Sequence, residues 1–206
     1  MKNVLCLCLF FFVLRAGAQV VELNDVVISI APGITLNHYG SVETPSPLSV
    51  DLGLAGMRAP VSVSYLFGRK LGISADFVYT LLDAKTRHSS NLTALDFGVG
   101  LRWYDPGTKR KVNWFGEIAW HFSSVHYFFH NGLIRENMNA KGWGLHYDAG
   151  ANVPLCADGK FGIGISLNGG GYKYKKTRYE NDQGGSADFT MNALNFAMGI
   201  NLYCKL

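Results

Sequence analysis

The sequence predicts an all-β chain, an eight-stranded antiparallel transmembrane β-barrel laid out as an up-and-down meander. Two observations predict it first. From Leu194 to Leu206 every second residue is apolar (Leu194, Phe196, Met198, Ile200, Leu202, Cys204, Leu206), while Asn195, Ala197, Gly199, Asn201, Tyr203 and Lys205 between them are mostly small or polar. A period of two is a strand with one apolar face. A soluble barrel turns that face inward and covers its outside with Lys, Glu and Thr. Gly, Ala and Asn suit a cramped, wet interior instead, so the apolar side points to lipid. Composition agrees: with 24 glycines in 206 residues and only 17% charged residues, the chain fits one β-rich domain better than a charged soluble globule.

The third observation is the amino terminus. Lys2, an apolar run from Val4 to Leu14 and Ala16-Gly17-Ala18 before Gln19 follow the order of a secretory signal peptide. The run is about half the ~20 residues of a spanning helix. Residues 1–18 are therefore expected to be a signal and 19–206 the barrel domain, exported to a bacterial outer membrane. Cys6 and Cys8 leave with the signal, and Cys156 and Cys204 remain at the periplasmic rim. Two strands of separation favour free thiols over a bridge, which tolerates only ~7 Å between Cα atoms. Removing Lys2 and Arg15 from 19 basic residues against 15 acidic leaves a small positive balance, too small to argue for nucleic acid.

The alternation recurs upstream. Outward faces are Ile28 to Leu36 (with Pro32 among them), Met57 to Tyr65, Leu71 to Leu81, Leu95 to Trp103, Val112 to Phe122, Trp143 to Leu155 and Phe161 to Leu167, which with the last strand makes eight. The connections alternate as an outer-membrane barrel requires, short on the periplasmic side and longer outside. The short ones are Gly68-Arg69-Lys70, Asp105 to Lys111 and Cys156 to Lys160. The long polar ones are His38 to Gly56, Asp83 to Asn91, His126 to Ala140 and Lys175 to Ala187. All lysines after the signal fall in turns, loops or strand ends on this reading, as expected when one at the bilayer midplane costs ~2 to 4 kcal/mol. Leu48 to Gly56, where apolar residues change parity before Met57, reads as a bulge or folded-over loop.

Over essentially its whole length after residue 18 the chain resembles the small outer-membrane β-barrel family of Bacteroidetes-type bacteria, related in architecture to OmpX and the OmpA barrel. The most family-like stretch is Val61 to Tyr79, a strand ending in Tyr65, the turn Gly68-Arg69-Lys70-Leu71-Gly72 and a second strand ending in Phe77-Val78-Tyr79. The resemblance implies insertion by the barrel-assembly machinery. That machinery usually reads a terminal aromatic residue, and this chain ends in Leu206 with Tyr203 facing inward.

Parity places Arg58, Asp76, Asp96, Arg102, Glu117, His121, His146 and Asp148 inside. They read as a charge network that packs the lumen, because eight strands enclose just enough room for side chains and buried charges persist when paired. Inner glycines (Gly72, Gly98, Gly100, Gly144, Gly150, Gly162, Gly164) leave room for those longer groups. A proton or ion path is the competing reading. His121-Phe122-Ser123 matches the His-x-Ser pair of outer-membrane lipid A deacylases, with Glu136 as the orienting carboxylate. Ser124 stands where that family has Asn, and parity turns the pair away from lipid.

Tyr172 to Tyr179 alternates aromatic and basic residues; it reads first as a strand protruding above the membrane with a solvated face, and alternatively as lipopolysaccharide contacts through Lys173, Lys175, Lys176 and Arg178, with the tyrosines in the aromatic belt. His126-Tyr127-Phe128-Phe129-His130 reads as loop aromatics that dock a partner or pack over the barrel mouth. His38, His126 and His130 could bind a metal, but their spacing does not resemble a zinc site, and no cofactor is expected. The reading is a non-enzymatic barrel serving membrane integrity or surface interaction through its loops, with outer-membrane lipid and lipopolysaccharide as partners. The alternatives are a lipid A-modifying enzyme and an accessory subunit bound to a secretion or assembly machine.

Overall fold

The computed structural model describes residues 25–43, 51–67, 70–83, 89–105, 112–130, 133, 135–156 and 160–206; the segment 1–18 and most of the short turns lie outside them. The strands are β1 (Asp25–Ile30), β2 (Gly33–Glu43), β3 (Asp51–Phe67), β4 (Leu71–Asp83), β5 (Ser89–Asp105), β6 (Asn113–His130), β7 (Arg135–Pro154), β8 (Phe161–Asn181) and β9 (Ser186–Lys205). Every pairing is antiparallel and each strand from β3 onward pairs with the next. β1 and β2 share one position in the ring, since both lie between β3 and β9. The break falls at Ala31-Pro32, where proline has no amide to donate to the ladder. The Pro32 carbonyl still accepts from Ile200 N at 3.0 Å, and Ala31 N donates to the Pro60 carbonyl at 3.0 Å. Nine segments thus make a closed ring of eight, the predicted meander.

The register fixes the barrel's shape. Following partners from Leu66 through Gly72, Arg102, Glu117, Asp148, Asn168, Ala197 and Thr35 returns to β3 at Gly56, ten residues from the start. A ten-residue stagger over eight strands tilts them by about 40°. The seam between the termini is tied by Leu206 N donating to the Val26 carbonyl at 2.8 Å and by an ion pair of Lys205 with Asp25.

Through the middle of the barrel the faces fall as the alternation predicts. Ile34, Leu36, Met57, Ile73, Phe77, Phe97, Val99, Ile118, Phe122, Ile165, Met198 and Ile200 are exposed on the outside. Such a continuous apolar band is what a bilayer covers. Toward the end remote from the termini the pattern inverts. Val125, Met138, Tyr174, Phe189 and Met191 point inward and are buried, while Ser124, Lys141, Lys173, Lys175 and Asn192 point outward. Here the barrel has left lipid for water, so it carries its apolar face inside like a soluble β-protein.

This inversion corrects the sequence reading in four places. The described parts of the supposed long loops are largely strand: β7, β8 and β9 run 20, 21 and 20 residues, against the 9 to 11 that cross a bilayer, so about half of each projects. Lys141, Lys173, Lys175 and Lys176 accordingly lie within strands, above the apolar belt. The parity change before Met57 is neither bulge nor folded loop, because β3 pairs with β2 in regular register from Asp51 to Arg58 and Leu54 simply points into the projecting barrel; Leu48 to Val50 lie outside the described residues. Tyr172 and Tyr174 are interior residues, not members of an outer aromatic belt. The projection ends at β8–β9 in a tight turn, where Gly184 adopts φ 83 and Asn181 Oδ1 accepts from Gly185 N at 2.6 Å.

Candidate functional site: the filled lumen and the basic wall

The eight interior charged and imidazole residues predicted from parity all lie buried in the barrel's central section. Arg102 on β5 faces Glu117 on β6, with Nη1 3.3 Å from Oε2. Its Nη1 also donates to Ser62 Oγ at 2.9 Å and Ser29 Oγ at 3.1 Å. The guanidinium lies over the rings of Phe115 and Tyr104, 4.6 and 5.2 Å from their centroids. Arg58 on β3 points across the lumen, its Nη2 3.7 Å from Asp96 Oδ2 and donating to His146 Nδ1 at 3.3 Å. Asp96 also accepts from Tyr172 OH at 3.2 Å. His121 stacks on His146 with centroids 4.5 Å apart and places Nε2 3.5 Å from Asp76 Oδ2. Asp148 stands beside Glu117 in the register.

The inner glycines are the seats of the large side chains. A Cβ at Gly98 would overlap the His121 ring, and one at Gly162 the Tyr203 ring. At Gly144 it would come within 2.8 Å of Tyr172, and at Gly150 within 2.7 Å of Phe115. Each glycine lets a neighbouring strand's ring lie flat against the wall, which is how one lumen holds so many rings.

Above the charges lies an apolar plug that sequence reasoning missed, built from Tyr39, Leu54, Leu82, Leu92, Val125, Met138, Tyr172, Tyr174, Phe189 and Met191. Its signal was present in the chain as apolar residues out of phase with the lipid-facing ones. Tyr127 and Tyr179 partly cover its upper edge; burial first, and then Glu136, push both phenols above their ordinary range and keep them neutral. Below the charges Val27, Leu66 and Tyr203 form a smaller plug, with Tyr104 packed against it.

The parts of a deacylase site are not brought together. His121 is occupied with Asp76 and His146, and the Ser123 hydroxyl hydrogen-bonds Tyr174 OH at 2.8 Å inside the barrel. Glu136 is opposite Phe129 on the projecting wall, eight residues along β7 from Gly144, the partner of His121. The residues from His126 to His130 end β6 rather than forming a loop. Cys156 and Cys204 are both free thiols.

The basic stretch on β8 faces outward. Lys173, Lys175 and Arg178 are exposed, and Arg178 Nε meets Glu180 Oε1 at 2.7 Å. Lys176 stands opposite Lys141 of β7, and Lys175 is the extra residue of a bulge. After that bulge Thr177 again faces inward, three residues beyond Tyr174.

No protein-family model matches the chain, and no curated protein matches it. Solved structures do. The outer membrane protein OprG from Pseudomonas aeruginosa aligns at 11% identity over 89% of this chain and 97% of its own, with TM-score 0.56. Neisserial surface protein A aligns at 10% over 87% and 97%, TM-score 0.52. The chain has the fold of a small outer-membrane β-barrel. At these identities fold is what the likeness shows. The outer membrane protease OmpT from Escherichia coli aligns equally well, at 8% identity over 93% of this chain and 100% of its own with TM-score 0.56, so the fold decides neither for nor against catalysis.

Proposed function

We propose that this barrel is a non-enzymatic outer-membrane protein with a packed lumen, serving membrane integrity or surface interaction through its projecting extracellular part. Residues 1–18 act as the export signal, and the barrel-assembly machinery inserts the remainder. The observation that carries the reading is the filling of the lumen. Paired charges occupy its centre, and apolar plugs close it at both ends. Eight strands leave only room for such filling, so the central groups support the wall rather than conduct. The same interior argues against the lipid A-modifying alternative, since His121 and Ser123 are turned from lipid, His121 stacks on His146 beside Asp76, and Ser123 is hydrogen-bonded to Tyr174. What remains free is the outside: lipid on the apolar band, and lipopolysaccharide or a protein partner on the basic, projecting wall.

The test is conductance. Protein whose folding is verified by a mobility difference between unheated and boiled samples should give no stable large steps in a planar bilayer. Steady single-channel currents of porin size would contradict the packed lumen.

A further inference from the structure

Three outward positions on β7 and three on β8 form one surface of mixed character at the upper edge of the apolar band. Along β7 these are Lys141, Trp143 and Leu145, and along β8 Lys175, Lys173 and Gly171. The register sets Trp143 opposite Lys173 and Leu145 opposite Gly171, which puts Lys141 and Lys173 diagonally adjacent, about 7 to 8 Å apart at Cα. Lys141, Lys173 and Lys175 are exposed, and none of them takes part in the ion pairs among the described residues. Arg178, by contrast, is engaged by Glu180.

Directly below Lys173 the wall has a furrow. Gly171 lies between Leu145 of β7 and Leu194 of β9, both exposed, and a Cβ built on it would meet only Leu194 Cδ2, at 3.5 Å. Trp143 does not fill the gap, because its ring stacks on Trp120 of β6, with centroids 4.7 Å apart and planes 18° from parallel. It leans away from β8. The result is a gap with apolar sides and unpaired cations at its head.

We infer that this surface is a lipid site for the phosphorylated, acylated glucosamine anchor of lipopolysaccharide, with a phosphate on Lys141, Lys173 and Lys175 and one acyl chain laid over Gly171. It rests on the reading above that the end remote from the termini is extracellular, where the outer leaflet carries that lipid. Charge complementarity selects an anion, and the furrow selects one with a chain attached.

The test is native mass spectrometry on the folded full-length protein with diphosphoryl hexa-acyl lipid A or phosphatidylglycerol as the probe. The wild type should retain lipid A in preference. Each lysine near a charged lipid surface is worth about fivefold in binding, so the Lys141→Gln/Lys173→Gln variant should weaken retention roughly thirtyfold. Gly171→Leu keeps every charge and fills the furrow; it too should lose lipid A. Because Gly171 opens onto the lipid-facing side, this variant should fold normally and show the unheated-versus-boiled mobility shift. Wild-type retention by both variants would overturn the site, and so would equal retention of phosphatidylglycerol. A wild type that shows no mobility shift would bring down the barrel reading beneath it, and the site with it.

Discussion

Arg102 and Glu117 face each other across β5 and β6 with 3.3 Å between Nη1 and Oε2, their side chains 1% and 2% exposed. Deep pairs of this kind seldom add much stability over a well-packed apolar pair, yet removing one partner strands the other's charge. The lumen sharpens this, since two guanidiniums stand among the four carboxylates Asp76, Asp96, Glu117 and Asp148.

Arg102→Met should therefore destabilise the barrel by about 3 to 5 kcal/mol, whereas Arg102→Met combined with Glu117→Gln should cost much less. Urea unfolding in detergent micelles reads both. Losses that simply add would remove the coupling.

The glycine seats make a second expectation. His121 is fully buried, stacked on His146 and beside Asp76, so a methyl group at position 98 must displace a packed ring. Gly98→Ala should cost about 1 to 3 kcal/mol through overpacking. Gly171→Ala, meeting only Leu194 Cδ2 at 3.5 Å, should stay within about 0.5 kcal/mol of wild type, as surface changes do. Equal unfolding midpoints for the two variants would show that the inner seats are not filled.

Much of the fold is legible in the sequence because lipid imposes one rule over the whole middle of the barrel. The alternation places Leu194, Phe196, Met198, Ile200 and Leu202 outward, and all five lie outside. The strand ends were not legible, for a physical reason. Where the wall leaves the membrane the solvent outside changes from hydrocarbon to water, and the apolar positions shift by one. Met191 and Leu194 are both apolar and three apart, one inside and one outside, and a reader tracking a single parity sees the strand stop between them. Leu54 and Met57 repeat this on β3.

The interior residues could be named from parity, but not their partners. Parity gives the face, and the pairing of Arg102 with Glu117 rather than Asp96 depends on the inter-strand stagger. The furrow at Gly171 was illegible for a related reason, since its walls come from β7 and β9, far from it in sequence.

The most direct measurement of the central claim, that the apolar face meets lipid and the small polar face lines a filled interior, is spin-label accessibility at position 200. Ile200 is 55% exposed on the outer wall, and Gln183, exposed in the β8–β9 turn, is the aqueous control. In protein reconstituted into lipid vesicles, a nitroxide at Ile200→Cys should relax strongly with dissolved oxygen and barely with a water-soluble nickel chelate, while one at Gln183→Cys should respond to the chelate. A label at 200 that prefers the chelate would mean that the faces are reversed, and the membrane barrel would fall with them.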